Sequence, residues 1–276
     1  MSFSRDVACI IAGYLAKYQL VDWIDSNKLD WDELSENPNA IELLRENPNK
    51  ITWNRLSTNS SAIDLLRAHP DKINWDMLSI NKNAIDLLKA NLDKIWWTWL
   101  SENTAAIELL KSNQDKIIWS VLSANSNAID LLRSNLDKIN WHILSANPAA
   151  IELLKSYPDK IDWYWLSRNP AAMDLLKFNL DKIHWERLSS NPNAIELLIT
   201  NQDKIDWNTI SANPSAVDLL TANQDKIDWI QLSKNSAAIG LLKDNQDKIS
   251  WLWLSANPAI FEYRIDHKLV VKLLEI

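Results

Sequence analysis

Glycine is nearly missing from this chain: Gly13 and Gly240 are the only two in 276 residues. That scarcity argues against a phosphate-cradling loop and against many tight β-turns, since both rely on backbone that only glycine adopts cheaply. Cysteine is rarer still. Cys9 stands alone, which excludes an internal disulfide and fits a reducing compartment. No apolar run approaches the roughly 20 residues of a membrane span. The opening MSFSRDVACIIAGYL lacks the basic head and small-residue cleavage site of a signal peptide. The expectation is a cytosolic protein, not a secreted one. A net charge of −7 offers no excess of cations for phosphates, so a nucleic-acid partner is not expected.

Catalytic patterns are missing too. His69, His142, His184 and His267 fall in unlike surroundings without metal-ligand spacing. Carboxylates are plentiful but recur in rows, which reads as a solvated face rather than an acid–base pair. Serine is abundant without a nucleophile elbow. No enzyme, cofactor or metal is expected.

What the chain does have is tryptophan, sixteen in all. Eleven of them, from Trp31 through Trp53, Trp75 and onward to Trp251, are spaced by 22 residues without interruption. Each unit reads approximately W-x-x-L-S-x-N-P-x-A-I-[DE]-L-L-[KR]-x-N-x-D-K-I-x. A fixed period of this size marks an array in which each unit hides its apolar face against its neighbours. With the tryptophan as position 1, Asn at position 7 occurs in every unit, and six copies are followed by Pro. Asn-Pro is a helix start: the amide caps free N–H groups, and Pro suits the first turn. Ala, Ile, Leu and Leu at positions 10, 11, 13 and 14 then form an apolar stripe of helical period. Trp and Leu at positions 1 and 4 suit a short α- or 3-10 helix; a two-residue strand at I-x-W is the rival reading. Ser at position 5 and Asn at 7 are expected to cap helices, or to form ladders between layers. The period-22 tryptophans are expected in the core, and the Asp-Lys pairs at positions 19 and 20 on a solvated edge or in an inter-repeat ion-pair row.

These features define an all-α solenoid of eleven 22-residue units, each one α-helix plus one short α/3-10 helix. Residues 1–30 are expected to form an N-terminal helical cap, with an amphipathic helix over 4–18 and WIDSNKLDW approximating the closing half of a unit. Residues 31–258 form the solenoid and 259–276 a C-terminal capping helix, which could also dock a partner or a second copy. Layers about 8–10 Å apart give a rod or superhelix on the order of 100 Å long.

The candidate site lies where the chain departs from its own pattern. Position 3 carries Met77, Trp99, Val121, Ile143 and Trp165 in five consecutive units, Trp96 and Ile118 join at position 22, and Tyr164 at position 2. Facing outward, they make a contiguous apolar band of the kind that marks a partner surface, with Trp as the typical anchor. The alternative buries position 3 halfway against the preceding layer.

The repeated LSxNPxAIxLLxxNxDKIxW unit, preceded by LVDWIDSNKLDW and closed by NPAIFEY, resembles a repeat family of giant DNA viruses of amoebae and algae. The resemblance covers residues 20–264 and implies a viral origin, hence the host cytoplasm or the virion interior as the location, with no active-site residues to carry over. The stretch SRDVACIIAGYL also resembles the first helix of an F-box, which implies a ubiquitin-ligase adaptor, although too few residues precede the repeats for a whole F-box. The function expected is a non-enzymatic scaffold that binds a protein partner through the band. The alternatives are that adaptor and a structural or virion component that self-associates through its ends.

Overall fold

The computed structural model describes residues 16–265. Each unit is built as the sequence pattern demands. In the fourth, a leading helix runs Trp97–Glu102, a 3-10 turn Thr104–Ala106, a trailing helix Ile107–Lys111 and a second 3-10 turn Gln114–Lys116. Asn103 starts the middle section by accepting the Ala105 N–H. The rival strand at I-x-W does not form, because Trp97 already opens the helix and Ile95 merely leads into it in extended backbone.

Between layers runs a polar ladder. In all eleven units the Asn at position 7 is buried and donates its amide to the backbone carbonyl of the preceding unit's Ser. In most it also reaches the preceding Asn carbonyl, as Asn103 does to Ser79 at 3.0 Å and to Asn81 at 3.1 Å. The Ser hydroxyl donates within its own helix and accepts a backbone N–H from the next layer, Ser101 taking that of Ile118 at 3.0 Å. This explains two invariant polar residues in a core: each satisfies buried backbone that helices this short leave orphaned.

The apolar core is leucine and alanine rather than tryptophan. Leu100, Ala106 and Leu110 are wholly buried, as are their equivalents around the array, and each buried Leu contributes about 2 kcal/mol. The period-22 tryptophans pack against this core but remain half-buried, which corrects the expectation that they lie within it. The Lys at position 20 covers the outer ring face. In nine units its ammonium lies over the indole, as Lys116 does over Trp97 at 4.9 Å. In the other two an aromatic residue replaces Asn at position 17 and takes that place: His69 beside Trp53 and Tyr157 beside Trp141. The Asp-Lys repeat is therefore not an inter-repeat ion-pair row. Lysine is committed to the ring face, and Lys72 and Lys160, displaced from it, pair only with the adjacent Asp of their own unit.

The two ends meet. Asn37 of the first unit donates to the carbonyls of Ser255 and Asn257 in the last, and the Asp30 N–H donates to the Ser255 hydroxyl at 2.8 Å. These are the ladder bonds of any adjacent pair, so the array closes into a ring. Strand β1 (Ala16–Leu20) pairs antiparallel with β2 (Phe261–Ile265), Tyr18 opposite Tyr263. Arg264 ties the pair down through Asp22 and the Leu20 carbonyl, each at 2.9 Å. The eleventh unit is composite. Residues 251–260 supply its first half, and the segment ending at Asp30 supplies its second, with the 3-10 turn Ser26–Lys28 and Lys28 over Trp251 in the regular place.

A rod with helical caps is thus not what forms. Strands occupy 16–20 and 261–265, where the capping helices were expected; the remainder of both expected helices, and the F-box-like stretch up to residue 15, lie outside the described residues. The physical reason is that two half-units can bury each other's open edges, which no solvated cap does as completely.

Candidate functional site: the inner wall of the ring

Leading helices of successive units pack directly on one another, as do several of the 3-10 turns that follow them, while successive trailing helices approach less closely. In a closed ring the segments nearest one another across each boundary lie nearest the axis. Leading helices therefore form the inner rim and trailing helices the outer. Positions 1, 4 and 5 of the leading helix face the core, which leaves positions 2, 3 and 6 toward the opening. Eleven helices spaced about 9 Å apart give an inner circle of about 16 Å radius, so the opening is about 20 Å across once side chains are allowed for.

Met77, Trp99, Val121, Ile143 and Trp165 fall on this wall, side by side over five units and each half-buried between layers. Val121, Ile143 and Trp165 floor a concavity of about 440 Å³ with Glu102 at one end and Arg168 at the other. Tyr164 is half-buried beside Trp165, ring centroids 5.5 Å apart. Trp96 and Ile118 are more exposed, at 49% and 38%, and Trp96 stacks on Trp99 at 6.2 Å. The five position-3 residues thus lie on one arc, with Trp96 joined to it through Trp99 and Tyr164 through Trp165, while Tyr164 also lines a neighbouring concavity and Ile118 is exposed at position 22 of the same stretch. The two readings of position 3 merge: half-buried by packing, and still presented to the opening.

Trp96 and Ile118 are anomalous in a way that burial alone does not reveal. Position 22 is the N-cap of the next leading helix. In six units an Asp or Asn there accepts the position-3 N–H, as Asn74 does from Met77 at 3.0 Å. Thr52, Trp96, Ile118, His184 and Ser250 make no such bond, and among these five Trp96 and Ile118 alone are apolar. A side chain that cannot cap forgoes about 1 kcal/mol, and two consecutive units carry one there, both exposed.

The wall also holds residues that sequence reasoning passed over. Arg55, at position 3, bonds Glu36 at 3.0 Å and lies 3.5 Å from Glu33. Burial lifts the Glu33 carboxyl above its ordinary range, Arg55 only partly opposing it; the hydrogen bond to Glu36 raises Arg55. Arg187 occupies the same position six units on, where the preceding unit offers Trp165 and Arg168 instead of two acids. The signal available in the sequence was the pairing of position 3 with positions 3 and 6 of the unit before it.

A second concavity, of about 780 Å³, lies beside the arc around His142, Asp162 and His184, with His142 Nδ1 2.5 Å from the Asp162 carboxylate. Among the described residues no three of His, Cys, Asp and Glu gather where they could hold a metal ion. No helix among them is long and apolar enough to cross a membrane.

Fold and wall together define a class: a closed, tryptophan-rich α-solenoid with one apolar arc inside. No protein-family model, curated protein or solved structure matches the chain.

Proposed function

We propose that the protein is a non-enzymatic binding scaffold whose inner apolar arc, from Met77 to Trp165, grips a protein partner. The observation that carries this reading is the pair of exposed apolar residues, Trp96 and Ile118, at a capping position that six other units fill with a capping Asp or Asn. A site that breaks a local rule is where function is expected. The rigid ring presents the arc preformed, which lowers the ordering cost of association. An opening of about 20 Å admits an α-helix, whose diameter with side chains is about 10–12 Å. That the described ends are engaged with each other supports this reading over association through free solenoid ends. The repeat's resemblance to giant-virus proteins suggests an infected amoeba as the source of the partner.

The test is retention of amoebal-lysate proteins by the wild type and by Trp96→Asp/Trp99→Gln/Trp165→Thr. Each new residue already occupies the same position in another unit, at Asp162, Gln231 and Thr209, so the variant is expected to fold with an unchanged circular dichroism spectrum. The wild type should retain a discrete partner that the variant loses. A partner kept equally by both, or none kept by either, would end this reading.

A further inference from the structure

Resting on that binding arc, we propose that Arg168 and Arg187 form a carboxylate-binding corner at its end, so that the partner is a peptide segment carrying an acidic side chain beside apolar ones. The repeat supplies its own control. Arg55 and Arg187 stand at the same position in the same kind of inter-unit boundary. Arg55 finds Glu33 and Glu36 across it; Arg187 finds Trp165 and Arg168. Its guanidinium lies over the Tyr164 ring at 4.4 Å and 5.7 Å from the Trp165 centroid, and it donates to the Tyr164 hydroxyl. Its Nε is buried with no hydrogen-bond partner. Arg168 approaches the same Trp165 at 6.0 Å and is exposed at the mouth of the concavity. Neither arginine has a carboxylate within ion-pair distance among the described residues.

A buried guanidinium nitrogen without an acceptor is costly, and arginine's planar fork is matched to a carboxylate. The position that Glu36 fills for Arg55 is taken by Arg168 before Arg187, so an acid that neutralises the two guanidinium groups has to come from a ligand. Arg168 lines the concavity and Arg187 lies behind its Trp165, and the remaining lining says what the ligand is. Its floor is apolar, and Glu102 closes the far end, so a polyanion would meet repulsion there while a peptide with one acid and neighbouring apolar side chains meets complementary surface. A nucleic acid would need a stripe of cations.

The experiment pans a random twelve-residue peptide phage library on the intact wild-type protein, then measures the selected peptides and their amide twins (Glu→Gln, Asp→Asn) by fluorescence anisotropy. The selected peptides should share one acid at fixed spacing from apolar residues, and the amide twin should bind about tenfold or more weakly, as loss of a charge-assisted bond implies. Arg187→Gln copies Gln231 and Arg168→Ala copies Ala124, so both should fold; each should shrink that difference. Arg168→Glu gives Arg187 an internal acid, as Glu36 serves Arg55, and should abolish the preference while raising the melting temperature. Selected peptides without a shared acid, or a twin difference that survives in Arg187→Gln, would overturn the proposal. Peptides that lack an acid yet require Trp165 would sink this inference alone. An absence of any peptide that requires Trp165, or binding of an oligonucleotide control instead, would sink the binding arc with it.

Discussion

Asn213→Ala is the sharpest probe of what holds the layers together. The Asn213 amide donates to the carbonyls of Ser189 at 3.0 Å and Asn191 at 3.1 Å, and its oxygen accepts the Ser215 N–H at 3.0 Å. All of this is buried. Removing the cap costs about 1 kcal/mol. The Asn191 carbonyl keeps the Ala194 N–H at 3.1 Å, so the Ser189 carbonyl is the one left orphaned, which adds about 1–3 kcal/mol for a total of about 2–4 kcal/mol. With an unfolding entropy of about 2.1 cal/mol/K per residue, a loss of about 3 kcal/mol lowers the melting temperature of a chain this long by about 5 °C. Asn213→Asp sharpens the test. It keeps the cap acceptor but turns a carboxylate oxygen toward two carbonyl oxygens. The folded state therefore disfavours the charged form, and the Asp pKa rises above its unfolded value of about 3.9. A group whose folded pKa is raised contributes most below the unfolded value and loses that contribution as pH climbs through the folded one. The Asp variant should thus weaken steadily from pH 4 to pH 7 relative to wild type, in urea melts followed by tryptophan fluorescence. A cost below 1 kcal/mol for Ala, or no pH dependence for Asp, would refute the ladder as the main inter-layer bond.

Glu33→Gln should stabilise the ring modestly at pH 7, because burial raises the Glu33 pKa and Gln removes the penalty on the charged form. The gain should vanish in melts below about pH 4, where Glu33 is protonated in both states; a variant less stable than wild type at pH 7 would mean that the Arg55 contact outweighs burial. Trp119→Ala removes a half-buried indole lying against the core under Lys138, whose ammonium is 4.4 Å from the ring. About 2–3 kcal/mol should be lost, less than for a fully buried Trp, and a thermal melt within 1 kcal/mol of wild type would show that the indoles are dispensable cover.

Much of this architecture was legible in the sequence. The 22-residue period, the Asn-Pro helix start and the Ser and Asn ladder residues follow from spacing and capping chemistry, because short-range rules govern them. The place of tryptophan at the core's edge was not legible, since its outer face is covered by Lys50, Lys94 and their equivalents folding back over the ring. Closure was written in the chain but easily misread. WIDSNKLDW is the second half of a unit and NPAIFEY the first half of another, and two complementary halves at opposite ends make one whole. Helical periodicity at Val7–Leu15 and Phe261–Leu274 pointed to caps instead, because local pattern carries no information on whether the ends meet. The band at Met77–Trp165 was found as departures from the repeat. Arg168 and Arg187 escaped notice because a single arginine is unremarkable until its missing acid is seen from Arg55.

Closure is the claim on which the inner wall depends, and a disulfide across the strand pair tests it directly. Gln19 and Glu262 are opposite one another in the β1–β2 register. Antiparallel partners lie about 4.5–5.5 Å apart between Cα atoms, within disulfide reach. Gln19→Cys/Glu262→Cys in a Cys9→Ser background, oxidised at low protein concentration, should give an intramolecular bridge independent of concentration, with faster migration on a non-reducing gel and a higher melting temperature. Thiols that stay free under oxidation, or that cross-link only between molecules, would show an open array and contradict the ring.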